Sequence, residues 1–268
     1  MSALASLIPF GTLDELAAAD SPVHRLDPRA KLLATALFIV AVASFGRYEV
    51  AALAPFALYP AALMALGGIP AGFILSRMLA ALPFVLLLAA LNPVLDRAPL
   101  LTLGPVAISG GWVSFASILM RFALTVGAAL VLVATTSMDG VCLGLERLGA
   151  PRAFAQQVAF LHRYAFVLGA EALRIHRART LRAFGGKLTP GEFATLAGNL
   201  LLRAWDRARR IHVAMLTRGF TGRFPEPRPL AWGTRDLLFT VLCAAAFAAL
   251  RVWNLPRILG GLLAGGAP

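Results

Sequence analysis

Five apolar runs decide what this chain can become: Leu32–Phe45, Val50–Leu66, Ala71–Leu91, Trp112–Ser137 and Leu237–Leu250. The hydrocarbon core of a bilayer takes roughly 20 apolar residues of helix, and these runs approach that length, the first two being short. Turn sequences separate the first three: Gly46-Arg47-Tyr48-Glu49 and Gly67-Gly68-Ile69-Pro70. Pro55 and Pro60 lie inside the second run, where neighbouring helices can satisfy the freed backbone groups. The stretch from Asn92-Pro93 to Gly110-Gly111 is rich in Pro and Gly and reads as an irregular connection. Trp232 and Trp253 lengthen the last run. With 268 residues, 59% hydrophobic and 14% charged, and a mean hydropathy of +0.77, the chain is too apolar for a soluble domain. The sequence predicts an all-α integral membrane protein with about five spans, four within residues 32–137 and the fifth within 232–268.

Charge is confined to particular stretches. The net charge is +12, and 15 of the 25 Lys and Arg lie between Met138 and Leu230. Positive-inside asymmetry explains that distribution without nucleic acid as a partner. With four spans before the basic block, Arg25, Arg29, Lys31, Arg77 and residues 138–231 share one side. The opposite side receives Arg47, Arg97, Arg251 and Arg257. The N-terminal segment 1–31 and the basic block are therefore expected in the cytoplasm, and the C-terminal tail outside. Met1–Arg29 is mixed and polar, unlike a cleavable signal peptide.

The basic block reads as three helices. A short one, Asp139 to Leu148, is stopped by Gly149, and a long one starts at Pro151. In it Phe154, Val158, Leu161, Ala165, Leu168, Ala172 and Ile175 form one face, which continues into Arg179 and Arg182. Gly185-Gly186 then separates it from a third helix opened by Thr189-Pro190-Gly191-Glu192, a capping box with proline at the first helical position. That helix carries the stripe Phe193, Leu196, Leu200, Ala204, Arg207, Ile211, Ala214 and Arg218. Both stripes end in arginine beside small residues, Ala178-Arg179-Thr180 and Thr217-Arg218-Gly219. A slim helix end with one guanidinium suits an acidic groove on another protein. The same arginines would also serve the last carbonyls of their helices, with Gly219 as an ordinary residue past the end.

Elsewhere, Asp27-Pro28-Arg29-Ala30-Lys31 places an N-cap and a first-turn proline at the start of the first span, with a basic flank. Arg121 is the cation well inside the fourth run. Such a charge is a functional candidate, or a side chain that snorkels or bonds a neighbouring carbonyl. Chemistry is otherwise sparse. No Gly-x-x-x-x-Gly-Lys-Ser/Thr occurs, the four histidines are scattered, and Cys142 and Cys243 have no ligand spacing. No catalytic set, bound cofactor or metal site is expected of this chain, which reads as one subunit of a larger machine.

Three segments, Leu26-Asp27-Pro28-Arg29-Ala30-Lys31-Leu32, His176-Arg177-Ala178-Arg179-Thr180 and Met215-Leu216-Thr217-Arg218-Gly219-Phe220, resemble those of the transmembrane (T) component of energy-coupling factor transporters. The likeness is to the cobalt-type form, the CbiQ family. It implies that Ala178-Arg179-Thr180 and Thr217-Arg218-Gly219 are the motifs that dock onto a pair of ABC-type ATPase subunits, which bind the ATP. The family's second motif usually begins with Ala, so Thr217 is a departure. The resemblance further implies a substrate-binding membrane subunit, with room for a small accessory one, in the bacterial inner membrane, and cobalt or nickel as cargo. The competing reading is a membrane scaffold whose arginine helices bind anionic lipid or an acidic partner without ATP.

Overall fold

The structure is a computed structural model that describes residues 16–95, 99–103, 106–184, 188–222 and 232–252. The expected break at Gly185-Gly186, the prolines after Gly222, Trp253 and the C-terminal tail lie outside them. Two units are present: one lies within residues 151–230, the other within residues 12–150 and 231–268.

The larger unit holds the membrane helices. Asp27 caps α1 (Pro28–Ala43), its carboxylate accepting from Arg29 N–H at 2.9 Å, and Pro28 fills the first turn. The second apolar run is not one regular helix. It folds as α2 (Val50–Leu53), a 3₁₀ turn (Ala54–Ala57) at Pro55, and α3 (Leu58–Gly67). Proline at 55 supplies no N–H to the helical ladder, which favours a local change of winding. Gly68 closes α3 in the left-handed conformation, φ 65°, as a C′ glycine does. Next come α4 (Ala71–Ala89) and α5 (Asn92–Leu95). The connection expected to be irregular holds an antiparallel hairpin of β1 (Pro99–Leu103) and β2 (Val106–Ser109), with Leu103 opposite Val106. The unit is completed by α6 (Gly110–Thr136), α7 (Met138–Arg147) and α10 (Thr234–Val252).

Among the described residues, three helical stretches are long and apolar enough to cross a membrane: Val50–Gly67 (α2 to α3), Ala71–Ala89 and Gly110–Thr136. The other two expected spans fall short for different reasons. The 16 residues of α1 rise only about 24 Å, and α10 carries Arg235, Asp236 and Arg251. Yet α1 is the centre of the unit. Its Phe38 is fully buried, with ring centroids 4.8 Å from Tyr59, 5.4 Å from Phe247 and 6.0 Å from Phe56. Thr35 Oγ1 lies 3.0 Å from Tyr59 Oη, so the buried phenol is satisfied. α1 and α10 run parallel, because Asp27 meets Asp236 at one end and Ser44 meets Arg251 at the other. α6 runs antiparallel to both: Lys31 reaches Thr135, and Arg121 reaches Phe45.

The smaller unit is a pair of helices, α8 (Arg152–Arg182) and α9 (Pro190–Thr217). The short helix α7, read from sequence as part of the same basic block, groups instead with the membrane helices. Three contacts show α8 and α9 to be antiparallel. Gln156 Nε2 donates to Gly222 O (3.1 Å), Arg203 Nη1 pairs with Glu171 Oε1 (2.6 Å), and Arg179 Nη2 pairs with Glu192 Oε2 (2.6 Å).

Candidate functional site

The two arginine motifs are built differently. Arg179 lies in the last turn of α8 on the side facing α9. Its side chain is only 14% exposed, and its guanidinium holds Glu192 of the predicted capping box. Glu192 also accepts from Thr189 N–H at 2.9 Å, and Thr189 Oγ1 accepts from Glu192 N–H. That backbone bond first, and Arg179 second, hold the Glu192 carboxyl below the usual carboxylate range. Ala178 and Thr180 are exposed on either side, with Thr180 Oγ1 turned back onto His176 O. Beyond them Leu181 and Phe184 stand in solvent, Phe184 almost wholly so. This end therefore offers an apolar tip over an arginine already paired.

Arg218 stands at the other end of the pair, exposed, as the C-cap of α9. Gly219 follows at φ 77°, and the closing bonds run from Phe220 N to Met215 O (3.0 Å) and from Gly219 N to Leu216 O (3.0 Å). This is a Schellman motif, which needs glycine at the left-handed position and satisfies the last carbonyls from the backbone. The helix end accordingly closes without the Arg218 side chain. Thr217 Oγ1 bonds Ala214 O, so the residue that departs from the family pattern satisfies itself locally. Glu192 to Arg218 is 26 residues of one helix, about 39 Å at 1.5 Å per residue. The structure sets the motifs at opposite ends of a rod.

The other sequence-selected residues gather in the membrane-helix unit. Asp27, Pro28 and Lys31 meet in the first turn of α1. Asp27 and Lys31 are buried, Lys31 Nζ donates to Thr135 O at 2.8 Å, and Arg29 Nε lies 3.8 Å from Asp27 Oδ1. Arg121 Nη2 donates to Phe45 O (2.9 Å) and Gly46 O (2.7 Å), capping the far end of α1. Arg251 joins it there, bonding Ser44 Oγ (3.0 Å) and Ser44 O (3.2 Å) and lying over the Phe45 ring. Two guanidiniums from different helices thus bind three successive carbonyls at a helix C-terminus, where cations are favoured. Of the alternatives for Arg121, the contacts are those of a side chain that bonds neighbouring carbonyls.

Sequence reasoning missed Asp236, whose carboxylate receives the backbone N–H groups of Asp27 (2.8 Å) and Gly233 (2.9 Å). A carboxylate at the start of an apolar run was the available signal. It also missed Gly140 and Gly144, a small-x-x-x-small spacing on α7 that marks close helix approach. Among the described residues no group of three His, Cys, Asp or Glu could hold a metal ion.

Fold and surface together define a multi-span α-helical membrane protein with an arginine-ended helix pair. Residues 19–229 match the family described as CbiQ, cobalt transport protein, and the chain belongs to that family. Among curated proteins it is 29% identical to the energy-coupling factor transporter transmembrane protein EcfT of Heliobacterium modesticaldum, over 91% of this chain and 97% of the relative. It is 30% identical to the protein of the same name from Bacillus selenitireducens, over 87% and 94%. A putative fused cobalt transport protein CbiMQ of Methanocorpusculum labreanum is 32% identical over 35% of this chain and 16% of its own length.

Proposed function

We propose that this chain is the transmembrane coupling subunit of an energy-coupling factor importer, non-catalytic itself, that links two ATPases to a substrate-binding membrane subunit. The observation that carries this reading is the roughly 39 Å between the two arginine ends of one helix pair. One acidic groove cannot take both ends, whereas one groove on each of two ATPases can. Cobalt is the favoured cargo and nickel the alternative, on the family's description and one relative's name. The parallel course of α1 and α10 supports an odd number of crossings, with Met1 and the helix pair in the cytoplasm of a bacterial inner-membrane protein and Pro268 outside. Reporter fusions after Leu66, Leu148, Pro227 and Pro268 test that topology, and a cytoplasmic signal at Pro268 refutes it.

Copurification tests the function. Two ATPase subunits should come out of detergent extracts with the tagged chain and be lost with Arg179→Ala plus Arg218→Ala, while membrane insertion is unchanged. The scaffold reading has its own support, because α9 exposes Leu201, Leu202 and Trp205 near Arg209 and Arg210, the mixture an anionic interface attracts. Association with anionic vesicles that matches wild type in the double variant, with no ATPase bound to the wild type, would favour the scaffold.

A further inference from the structure

The first turn of α1, Asp27 to Leu32, is where three parts of the membrane-helix unit converge. α7 lays its glycine face on that turn. A Cβ on Gly144 would come 2.5 Å from Leu32 Cδ1 and 3.3 Å from Pro28 Cβ, and one on Gly140 would lie 3.8 Å from Pro28 Cγ. From α10, Asp236 reaches over to accept the Asp27 N–H, using its second oxygen for Gly233 N–H. From α6, the carbonyl of Thr135 accepts the buried Lys31 ammonium. Asp27, Lys31 and Asp236 are 6%, 2% and 7% exposed, so these bonds form away from water, where an unmade bond is costly.

The connectivity gives this turn its meaning. α7 is the last element before the chain enters the arginine helix pair at Pro151, and α10 is the first described element after it leaves. The elements that flank the pair in sequence, α7 and α10, thus both meet that one helix turn. Between α6 and α7, Ser137 is held at φ 61°, ψ 159°, a conformation that side chains rarely adopt, with its Oγ accepting from Gly140 N–H. Apolar contact alone, such as Phe247 of α10 on Phe38 of α1, carries no hydrogen bond that sets a register. Glycine-to-proline packing and bonds to buried charged groups fix the register instead. α1 in turn carries Phe38 in the core of the unit.

We propose that the first turn of α1 is the fulcrum through which movement of the arginine helix pair enters the membrane helices, with Asp236 and Gly144 as its positioning residues. The proposal rests on the ATP-coupled reading above. It is tested in the complete complex of this chain with its ATPases, in lipid nanodiscs. A nitroxide is placed on Val40→Cys, 66% exposed on α1, in a Cys142→Ala/Cys243→Ala background. ATP should change the nitroxide spectrum in the background protein. Asp236→Ala should leave the ATPases bound and hydrolysing but abolish that change, and Asp236→Asn, keeping one of two acceptors, should retain about half. Gly144→Ala should reduce the change at least twofold, and Leu32→Ala added to it, removing the opposing methyl, should restore it. A change of background size in both Asp236 variants and in Gly144→Ala overturns the fulcrum. So does a background protein whose Val40 label ignores ATP while hydrolysis proceeds. Should no ATPase copurify with the background protein, the coupling reading itself fails and the fulcrum with it, a result distinct from the other two.

Discussion

The membrane-helix unit and the arginine helix pair handle charge in opposite ways. In the first, charged groups are enclosed and matched: Asp27, Lys31 and Asp236 at one end of α1, Arg121 and Arg251 on the carbonyls at the other. In the second, α9 buries no residue along 28 positions and α8 buries only Ala155. Its charges sit on the surface or at the ends. With those charges matched internally, that unit has little charge left to offer a soluble partner, although α4 buries only Ile74 and Ala89. A helix pair this bare is unfinished, since most helical stability in proteins comes from packing an apolar face. Recognition of the proposed ATPases should therefore reside in the pair, and mechanical integrity in the bundle.

The sharpest test of that division is Arg218→Ala. Truncating an arginine that is buried against a partner's carboxylate typically costs about 2–5 kcal/mol, so ATPase affinity should fall by roughly 30-fold or more. The Schellman closure does not use the side chain, so thermal unfolding in detergent should be unmoved. A drop in melting temperature without loss of ATPase would reverse the assignment. Arg179→Ala should weaken association too, by less, because the native residue already holds Glu192.

Next in size is the converse experiment in the bundle. Lys31→Met removes the donor to Thr135 O, and Arg121→Ala removes the donor to Phe45 O and Gly46 O. Hydrogen bonds to charged groups contribute roughly 1.5–3 kcal/mol each, so both variants should unfold at lower temperature. ATPase copurification from the surviving folded fraction should match wild type. Equal loss of ATPase binding in Arg121→Ala would mean that the two regions are not separable in this way.

Smaller still are Arg174→Ala and Arg203→Ala. Both guanidiniums share Glu171, at 3.3 and 2.6 Å, and both are largely exposed. Exposed pairs contribute about 0–1 kcal/mol, so ATPase affinity should change by at most about fivefold. If these variants matched Arg218→Ala, the pair would be a diffuse basic surface.

Local chemistry was legible in the sequence, and long-range closure was not. The Thr189–Glu192 capping box, the Asp27 cap and the glycine stops at Gly68, Gly149 and Gly219 all stand as read, because each is decided within a few residues. The stripe of α9 stands in its middle, where Leu196, Leu200, Ala204, Arg207 and Ile211 are half-buried, but Phe193 at its start is 62% exposed, Met215 replaces Ala214, and Arg218 is exposed. The stripe on α8 fails over its first half, where Phe154 and Leu161 are 59% and 71% exposed. Periodicity locates an apolar face but does not say which element covers it. Asp27 and Asp236 are 209 positions apart, and no local rule pairs them.

The finest test concerns Glu192. Glu192→Gln keeps a residue suited to the capping box but takes the charge away from Arg179. On the proposed docking, the wild-type arginine would exchange one carboxylate for another, whereas in the variant it would gain one. ATPase association should therefore strengthen, by up to about fivefold for an exposed pair. The difference should depend on pH. Because the folded-state Glu192 carboxyl lies below its ordinary value, its hold on Arg179 is complete above the usual range near 4.3 and is lost only as pH falls through the lowered value. Wild type and variant should differ at pH 7 and converge toward the acidic limit, read by ATPase binding to immobilised complex over that range. A variant that binds more weakly at pH 7 would show that Glu192 orients Arg179 for its partner instead of competing for it.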